Sequence, residues 1–232
     1  MIYPRHLGII ADGNRTWAKK QWLTPMDGHF AGAKHTIEMV QHIFLTTDIK
    51  VVTGWFLSTE NLTQRPEAEI AFICGIYKTI GNDLDAFMQE HHINFRWVGN
   101  PEGLPQDFVD FLKKKQDMFS FPESDRTTVF AINYGWRDEI IRWIKTLSDE
   151  ELKNLTEETL TKHLDFGSIE PLDMVIRTKW DQAHRTSGFM SRRIGYAELY
   201  FAEECYPAFG PVELEKSLQW YNSIADQRNF GK

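Results

Sequence analysis

His6–Ala18, HLGIIADGNRTWA, decides how the rest of the chain is read. Leu7 to Ala11 carry no charge and run straight into a polar turn, which marks a short buried strand. The turn is Asp12-Gly13-Asn14, in which Gly13 is free to take a positive φ and Asp or Asn can bond its own backbone. Arg15-Thr16-Trp17-Ala18-Lys19-Lys20 follows as a first helical turn. A strand that ends in such a turn and opens a helix aims a carboxylate and several backbone N–H groups at one point. That arrangement suits an anion, or an anion with its metal, at a helix N-terminus. An ordinary βα turn has the same pattern, so these residues alone leave both readings open.

The composition narrows the classes around that turn. A chain of 232 residues with 42% hydrophobic and 25% charged residues can build one α/β domain with a sizeable core. Net charge is −7, which argues against a general nucleic-acid binder, whose phosphate contacts need a basic face. Cys74 and Cys205 form no CxxC and no Cys/His cluster, so neither a zinc site nor a disulfide framework is indicated, and a reduced cytoplasmic setting fits. MIYPRHLG lacks the form of a signal peptide, and no apolar run approaches the ~18 residues of a membrane span. Peripheral contact with a membrane is compatible with all of this.

Downstream, strand and helix patterns alternate. His29–Asp48 has helical spacing through Ala33, Ile37, Val40 and Phe44, and Ile49–Leu57 (IKVVTGWFL) is a β-branched and aromatic strand ending in Ser58-Thr59-Glu60-Asn61. Pro66 opens a long helix to about His91, Ile93–Val98 is a third strand, and Gln106–Phe119 is helical. Thr127–Asn133 is a fourth strand, and helices follow over Arg137–Leu147 and Thr156–Leu164. Met174–Thr178 and Ala197–Phe201 are the last strands, and Val212–Asp226 closes the chain as a helix. This order predicts a mostly parallel six-stranded sheet flanked by helices. Ligands bind beyond the carboxyl ends of such strands, which gathers Asp12-Gly13-Asn14, Ser58–Asn61, Asn133–Gly135 and Arg177-Thr178 along one rim.

Two sets of side chains stand out there. Asp12, Glu60 and Glu198 are carboxylates, while Arg177–Arg193 holds five basic side chains with Thr178, Thr186 and Ser187 among them. Arginine forks with hydroxyl donors suit phosphate; a solvated loop has the same composition. His29, between Gly28 and Gly32, stands near a helix start and could donate to an anion. Trp17, Trp55, Phe56 and Leu57 bring apolar bulk to the rim. No GxxxxGK[ST], GxGxxG or GxSxG occurs, so P-loop, dinucleotide and nucleophile-elbow chemistry have no support.

ADGNRTWA, GHFAG, FLSTEN followed by RP, AINYG, PLDMVIRT and YAELYF stand in this order across residues 5–201, and together they resemble the cis-prenyltransferases typified by undecaprenyl diphosphate synthase. The resemblance implies one catalytic domain over 1–232, a homodimer, and an apolar tunnel in each subunit. It also implies condensation of isopentenyl diphosphate with an allylic prenyl diphosphate, such as farnesyl diphosphate, to a Z-polyprenyl diphosphate. Asp12 and Glu198 would hold Mg²⁺, and Asn61 would assist proton removal. Gly13, Asn14, Arg15, Thr16, Trp17 and His29 would bind the allylic diphosphate, with Ser58, Thr59 and Glu60 at the reacting centre and Arg65 supporting a diphosphate. Arg177, Arg185 and Ser187 would hold isopentenyl diphosphate.

The chain departs from the family pattern at several positions. Thr16 and Pro25 stand where the family has arginines, with Arg15 one place early. Its Arg-Thr-Gly-Gly turn reads Arg177-Thr178-Lys179-Trp180, its Leu-Leu-Trp-Gln reads Met190-Ser191-Arg192-Arg193, and its C-terminal Arg-x-Gly reads Asn229-Phe230-Gly231. Phe56 replaces a small tunnel residue and is expected to stop elongation early, giving a short or medium product. The departures keep two alternatives open: head-to-middle joining of allylic diphosphates, and a non-catalytic lipid-binding or partner subunit.

Overall fold

The computed structural model describes residues 1–167, 169–179 and 184–225. The strands β1 (His6–Ile10), β2 (Val51–Ser58), β3 (Asn94–Val98), β4 (Thr127–Tyr134), β5 (Met174–Arg177) and β6 (Glu198–Phe201) form one sheet, order β3-β4-β2-β1-β5-β6. Every pairing is parallel. β1 lies between β2 and β5, and all five of its residues are buried, as its uncharged run predicts. Alternation divides the core. Leu7, Ile9, Val52, Phe130, Ile132, Met174 and Ile176 join one cluster, and Ile10, Val129, Ala131 and Val175 join the other.

Gly13, with φ at 101°, caps α1 (Asn14–Lys20). A Cβ there would sit 2.9 Å from the Cβ and Sγ of Cys205, so both the backbone and the packing call for glycine. α2 (Pro25–Thr46) begins earlier than the apolar spacing suggests, because Thr24 and Asp27 form a capping box and Pro25 takes the first turn. His29 is thus inside the helix. Gly28 and Gly32 face α1: a side chain at Gly28 would collide with the Asn14 carbonyl, and one at Gly32 with the Asn14 amide. The two glycines set the distance between α1 and α2.

Beyond β2, the polar Thr59–Gln64 stretch is a helix, α3, capped by Ser58 Oγ accepting from Asn61 N at 3.0 Å. The long helix expected from Pro66 to His91 is two, α4 (Glu67–Asp83) and α5 (Asp85–Glu90), with Pro66 as the N-cap of the first. They part at Leu84, after the weak helix formers Gly81-Asn82-Asp83, and Asp85 pairs with the buried Lys115 of α6 (Gln106–Met118). α7 (Trp136–Ile144) is followed by α8 (Asp149–Lys153), which the apolar spacing does not show, and by α9 (Glu157–His163). α10 is Pro211–Ser223, ending short of the expected Asp226, which lies outside the described residues along with Trp180 and the Asn229-Phe230-Gly231 motif. Among the described residues no helix is long and apolar enough to cross a membrane.

β2 carries a bulge. Trp55 pairs with Ala131 and Leu57 with Ile132, which leaves Phe56 without a partner. The Phe56 ring lies back over Gly54, where a side chain would strike it, and against Tyr77 and Phe130 at centroid distances of 5.1 and 4.9 Å.

Candidate active site

The carboxyl ends of β1, β2 and β5 open into a cleft of about 270 Å³. Asp12, Gly13, Asn14, Arg15 and Thr16 line it from the β1–α1 turn, His29 from α2, Ser58, Glu60, Asn61 and Arg65 from the β2–α3 corner, and Arg177 and Ser187 from beyond β5. Ile10, Ala11, Trp55, Phe56 and Lys179 complete it. Twelve of the sixteen residues expected at the site therefore share one cavity, brought together by the topology of the sheet.

Asp12 is fixed from several sides. Its N–H donates to Thr178 Oγ1 at 2.9 Å, and that hydroxyl donates back to the Asp12 carbonyl at 2.7 Å. Tyr206 N–H reaches the same carbonyl at 2.9 Å. Arg177 Nη2 donates to Asp12 Oδ2 at 2.8 Å, while Arg177 Nη1 spans Arg185 O at 2.5 Å and Ser187 Oγ at 3.2 Å. Arg177 Nε is buried with no partner among the described residues. A buried guanidinium with a donor to spare suits a further anion.

A second cationic group stands across the cleft. Glu69 Oε1 accepts from His29 Nε2 at 3.0 Å and from Arg65 Nη1 at 3.2 Å. Burial, more than any neighbour, holds the His29 pKa below its usual value, so the ring is neutral at pH 7 with its Nε2–H committed to Glu69. Burial also lowers the Arg65 pKa, and Arg65 Nε, like Arg177 Nε, is buried and unpartnered among the described residues. Arg15, exposed at the mouth, has no ion pair among the described residues.

Four expected residues fall outside the cleft. Thr59 faces Gly135 in an adjoining hollow of about 50 Å³ lined also by Trp55 and Trp136. Trp17 is half-buried on α1 and absent from the lining. Arg185 is exposed and offers the site its backbone carbonyl, not its guanidinium. Glu198 opens β6 in register with Met174, which pairs with Leu7. It therefore sits at the amino end of its strand, five residues back from Asp12, roughly 16 Å at about 3.3 Å per residue. Within one chain Asp12 and Glu198 do not share a metal.

Thr178, Trp55 and Lys179, which the sequence places at the rim, are at the site as expected, whereas Glu69, which holds His29 and Arg65, was not singled out for it. Lys179 takes φ of 65°, the left-handed conformation a glycine would hold in an Arg-Thr-Gly-Gly turn, and its side chain lines the cleft. Among the described residues no three His, Cys, Asp or Glu side chains gather to cage a metal ion. Asp12, a hard oxygen donor with one oxygen turned to Arg177, and Glu60 in the same cleft fit a Mg²⁺ that completes its shell with substrate phosphates and water, as that ion commonly does.

A cationic cleft at the carboxyl ends of a parallel sheet, with one fixed carboxylate and an aromatic floor, has the makings of a site for phosphorylated apolar molecules. The family model described as putative undecaprenyl diphosphate synthase matches residues 10–231. An isoprenyl transferase of Treponema denticola is 35% identical over 94% of this chain and 93% of its own, and one of Lactococcus lactis is 36% identical over 99% and 94%. The crystal structure of lavandulyl diphosphate synthase from Lavandula x intermedia, in complex with dimethylallyl diphosphate, superposes with a TM-score of 0.88 at 25% identity, covering 99% of both chains. The chain belongs to the undecaprenyl diphosphate synthase family of cis-prenyltransferases, and its activity is prenyl transfer.

Proposed function

We propose that this prenyltransferase condenses isopentenyl diphosphate onto an allylic diphosphate and releases a Z-prenyl diphosphate of short or medium length. The observation that carries the length is the closure of the cleft at Phe56. Behind the ring, between Ile9, Met39, Val40, Ile43 and Gly54, only about 10 Å³ of space is left. In this reading the apolar tunnel that longer products require is blocked at this point.

The chemistry needs charge stabilisation more than covalent help. As the allylic C–O bond breaks, its electron pair leaves with the diphosphate; Arg15, Arg65 and the N–H groups at the start of α1 face that growing charge. Bound Mg²⁺, held by Asp12 and the diphosphates, would supply Lewis acidity to the same leaving group. Arg177 and Ser187, with Lys179 beside them, would hold the second diphosphate so that its double bond meets the allylic carbon. The proton lost from the isopentenyl carbon beside the resulting cation, whose C–H electrons form the new double bond, passes to a water or diphosphate oxygen oriented by Asn61. The functional unit in this reading is a homodimer, and Glu198, on the edge strand β6, could serve a metal only across a subunit boundary.

A second reading is favoured by two observations. One solved structure of the same fold is a lavandulyl diphosphate synthase in complex with dimethylallyl diphosphate, and Lys179 alters the turn after Arg177. This is head-to-middle joining of two allylic diphosphates. Incubation of the purified chain with Mg²⁺ and labelled isopentenyl diphosphate plus geranyl diphosphate, beside dimethylallyl diphosphate alone, separates the two. Incorporation of isopentenyl units supports the first reading; product from dimethylallyl diphosphate alone, with no incorporation, would replace it by the second.

A further inference from the structure

The turn between α1 and α2 is unlike the rest of the surface. Trp22 is 97% exposed, and its φ of 59° lies in the left-handed region. α1 ends in a Schellman motif, with Leu23 N–H donating to Ala18 O at 2.9 Å and Trp22 N–H to Lys19 O at 3.2 Å. The motif places Trp22 where glycine is preferred, because a Cβ in that conformation crowds the backbone. A bulky residue at positive φ is an outlier that calls for an explanation. Inside the fold there is none: the indole makes no hydrogen bond or ring contact among the described residues.

The neighbours of Trp22 point outward too. Leu23 is 46% exposed, and Lys19 and Lys20 are exposed without an ion pair among the described residues. The next carboxylate along the chain, Asp27, is folded back onto Thr24, accepting from its N–H at 2.9 Å and its hydroxyl at 2.7 Å. In a chain of net charge −7 this leaves a local positive pair beside an unsupported aromatic.

We propose that this turn is a membrane contact: Trp22 and Leu23 enter the interfacial layer of a bilayer containing anionic lipid, and Lys19 and Lys20 lie against its headgroups. Tryptophan suits that layer because its body is apolar and its N–H prefers a wet partner. Paired lysines complement an anionic leaflet. The size of the patch favours lipid over protein. Trp22 and Leu23 offer on the order of 300 Å², against about 800 Å² that each partner buries in a stable protein–protein complex. α1 starts at the cleft with Asn14 and ends about 10 Å away at 1.5 Å per residue. Contact at this turn therefore holds the cleft close to the bilayer.

The test is co-sedimentation of the full chain with vesicles of phosphatidylcholine alone and of phosphatidylcholine with phosphatidylglycerol, at low and high salt. Trp22→Gly and the double variant Lys19→Gln, Lys20→Gln are run beside it. Glycine relieves the left-handed position, so Trp22→Gly melts no lower than the parent. The expected result is binding to the anionic vesicles that salt weakens. Trp22→Gly lowers it roughly tenfold, and the double lysine variant lowers it about 25-fold, about fivefold per charge. Turnover of water-soluble short substrates stays unchanged in both. Equal vesicle binding by the parent and Trp22→Gly overturns the proposal. So does a fall in sedimentation coefficient on Trp22→Gly, which would assign the turn to a second copy of the chain.

Discussion

Arg177 grips Asp12 from the neighbouring strand, Nη2 to Oδ2 at 2.8 Å, in a sheet where Ile10 and Arg177 are register partners. The arginine side chain is 9% exposed and the aspartate side chain 33%, so a buried cation positions a carboxylate that still faces the cleft. Removing the carboxylate has two consequences, one chemical and one structural.

Asp12→Asn keeps an acceptor for Arg177 but loses the charge that a divalent cation needs. Turnover is expected to fall at least a hundredfold, on the order of one lost charge-stabilising group, with little change in melting temperature. Asp12→Ala should lose the same activity and in addition about 1–3 kcal/mol of stability, because it strands the Arg177 guanidinium. Steady-state kinetics beside thermal melts check both; an active Asp12→Asn removes Asp12 from metal binding.

Phe56→Ala opens the space behind the cleft toward Met39 and Ile43. The product should lengthen by at least one isopentenyl unit, at a stability cost of up to about 3 kcal/mol for the lost ring contacts with Tyr77 and Phe130. Chromatographic sizing of the product decides it. An unchanged length in a folded variant means that another residue ends the chain.

How far these sites were legible in the sequence depends on what each one rests on. Asp12, Ser58 and Arg177 could be placed because each follows an apolar run, and polar residues at the carboxyl ends of parallel strands converge. The same rule speaks against Glu198, which precedes the run Leu199-Tyr200-Phe201 and so begins its strand. Phe56 reads as an ordinary strand residue; the bulge that turns its ring over Gly54 arises from pairing with β4 and has no local signature. α8 has little apolar spacing, yet its Ser148–Glu151 capping box has a Ser-x-x-Glu pattern plain in the sequence. Arg185 was out of reach, since spacing cannot say that a backbone carbonyl, not a guanidinium, meets the site. The partnership of His29 with Glu69 spans forty residues and appears only once α2 and α4 are packed together.

Gly28→Ala tests the seating of the Asp12 turn. The added methyl meets the Asn14 carbonyl and drives α1 away from α2. Overpacking of this kind costs roughly 1–3 kcal/mol. KM for the allylic diphosphate should rise, since Asn14, Arg15 and Thr16 ride on α1. Kinetics equal to the parent would show that the closeness of α1 and α2 is irrelevant to the site.

His6 sets a pH dependence of stability. Its Nδ1 meets Glu170 O at 2.7 Å and therefore carries the proton, while Nε2 accepts from Thr53 Oγ1 at 2.6 Å. Burial lowers its pKa from 6.5 to about 4. Below pH 6.5 the unfolded chain binds a proton that the folded chain refuses, so stability falls as pH drops from 6.5 toward 4, by roughly 3 kcal/mol at 1.36 kcal/mol per unit. Denaturant melts across this range, on the parent and on His6→Gln, measure it; the variant should show a shallower slope, and equal slopes would exclude His6 as the cause.

The most direct test of the account is the size of the product made by the unaltered chain with Mg²⁺, geranyl diphosphate and a large excess of labelled isopentenyl diphosphate. Closure of the cleft at Phe56 predicts isopentenyl incorporation that stops after a few additions, with no longer product accumulating over time. Chains that keep growing to the length of an undecaprenyl diphosphate would contradict it.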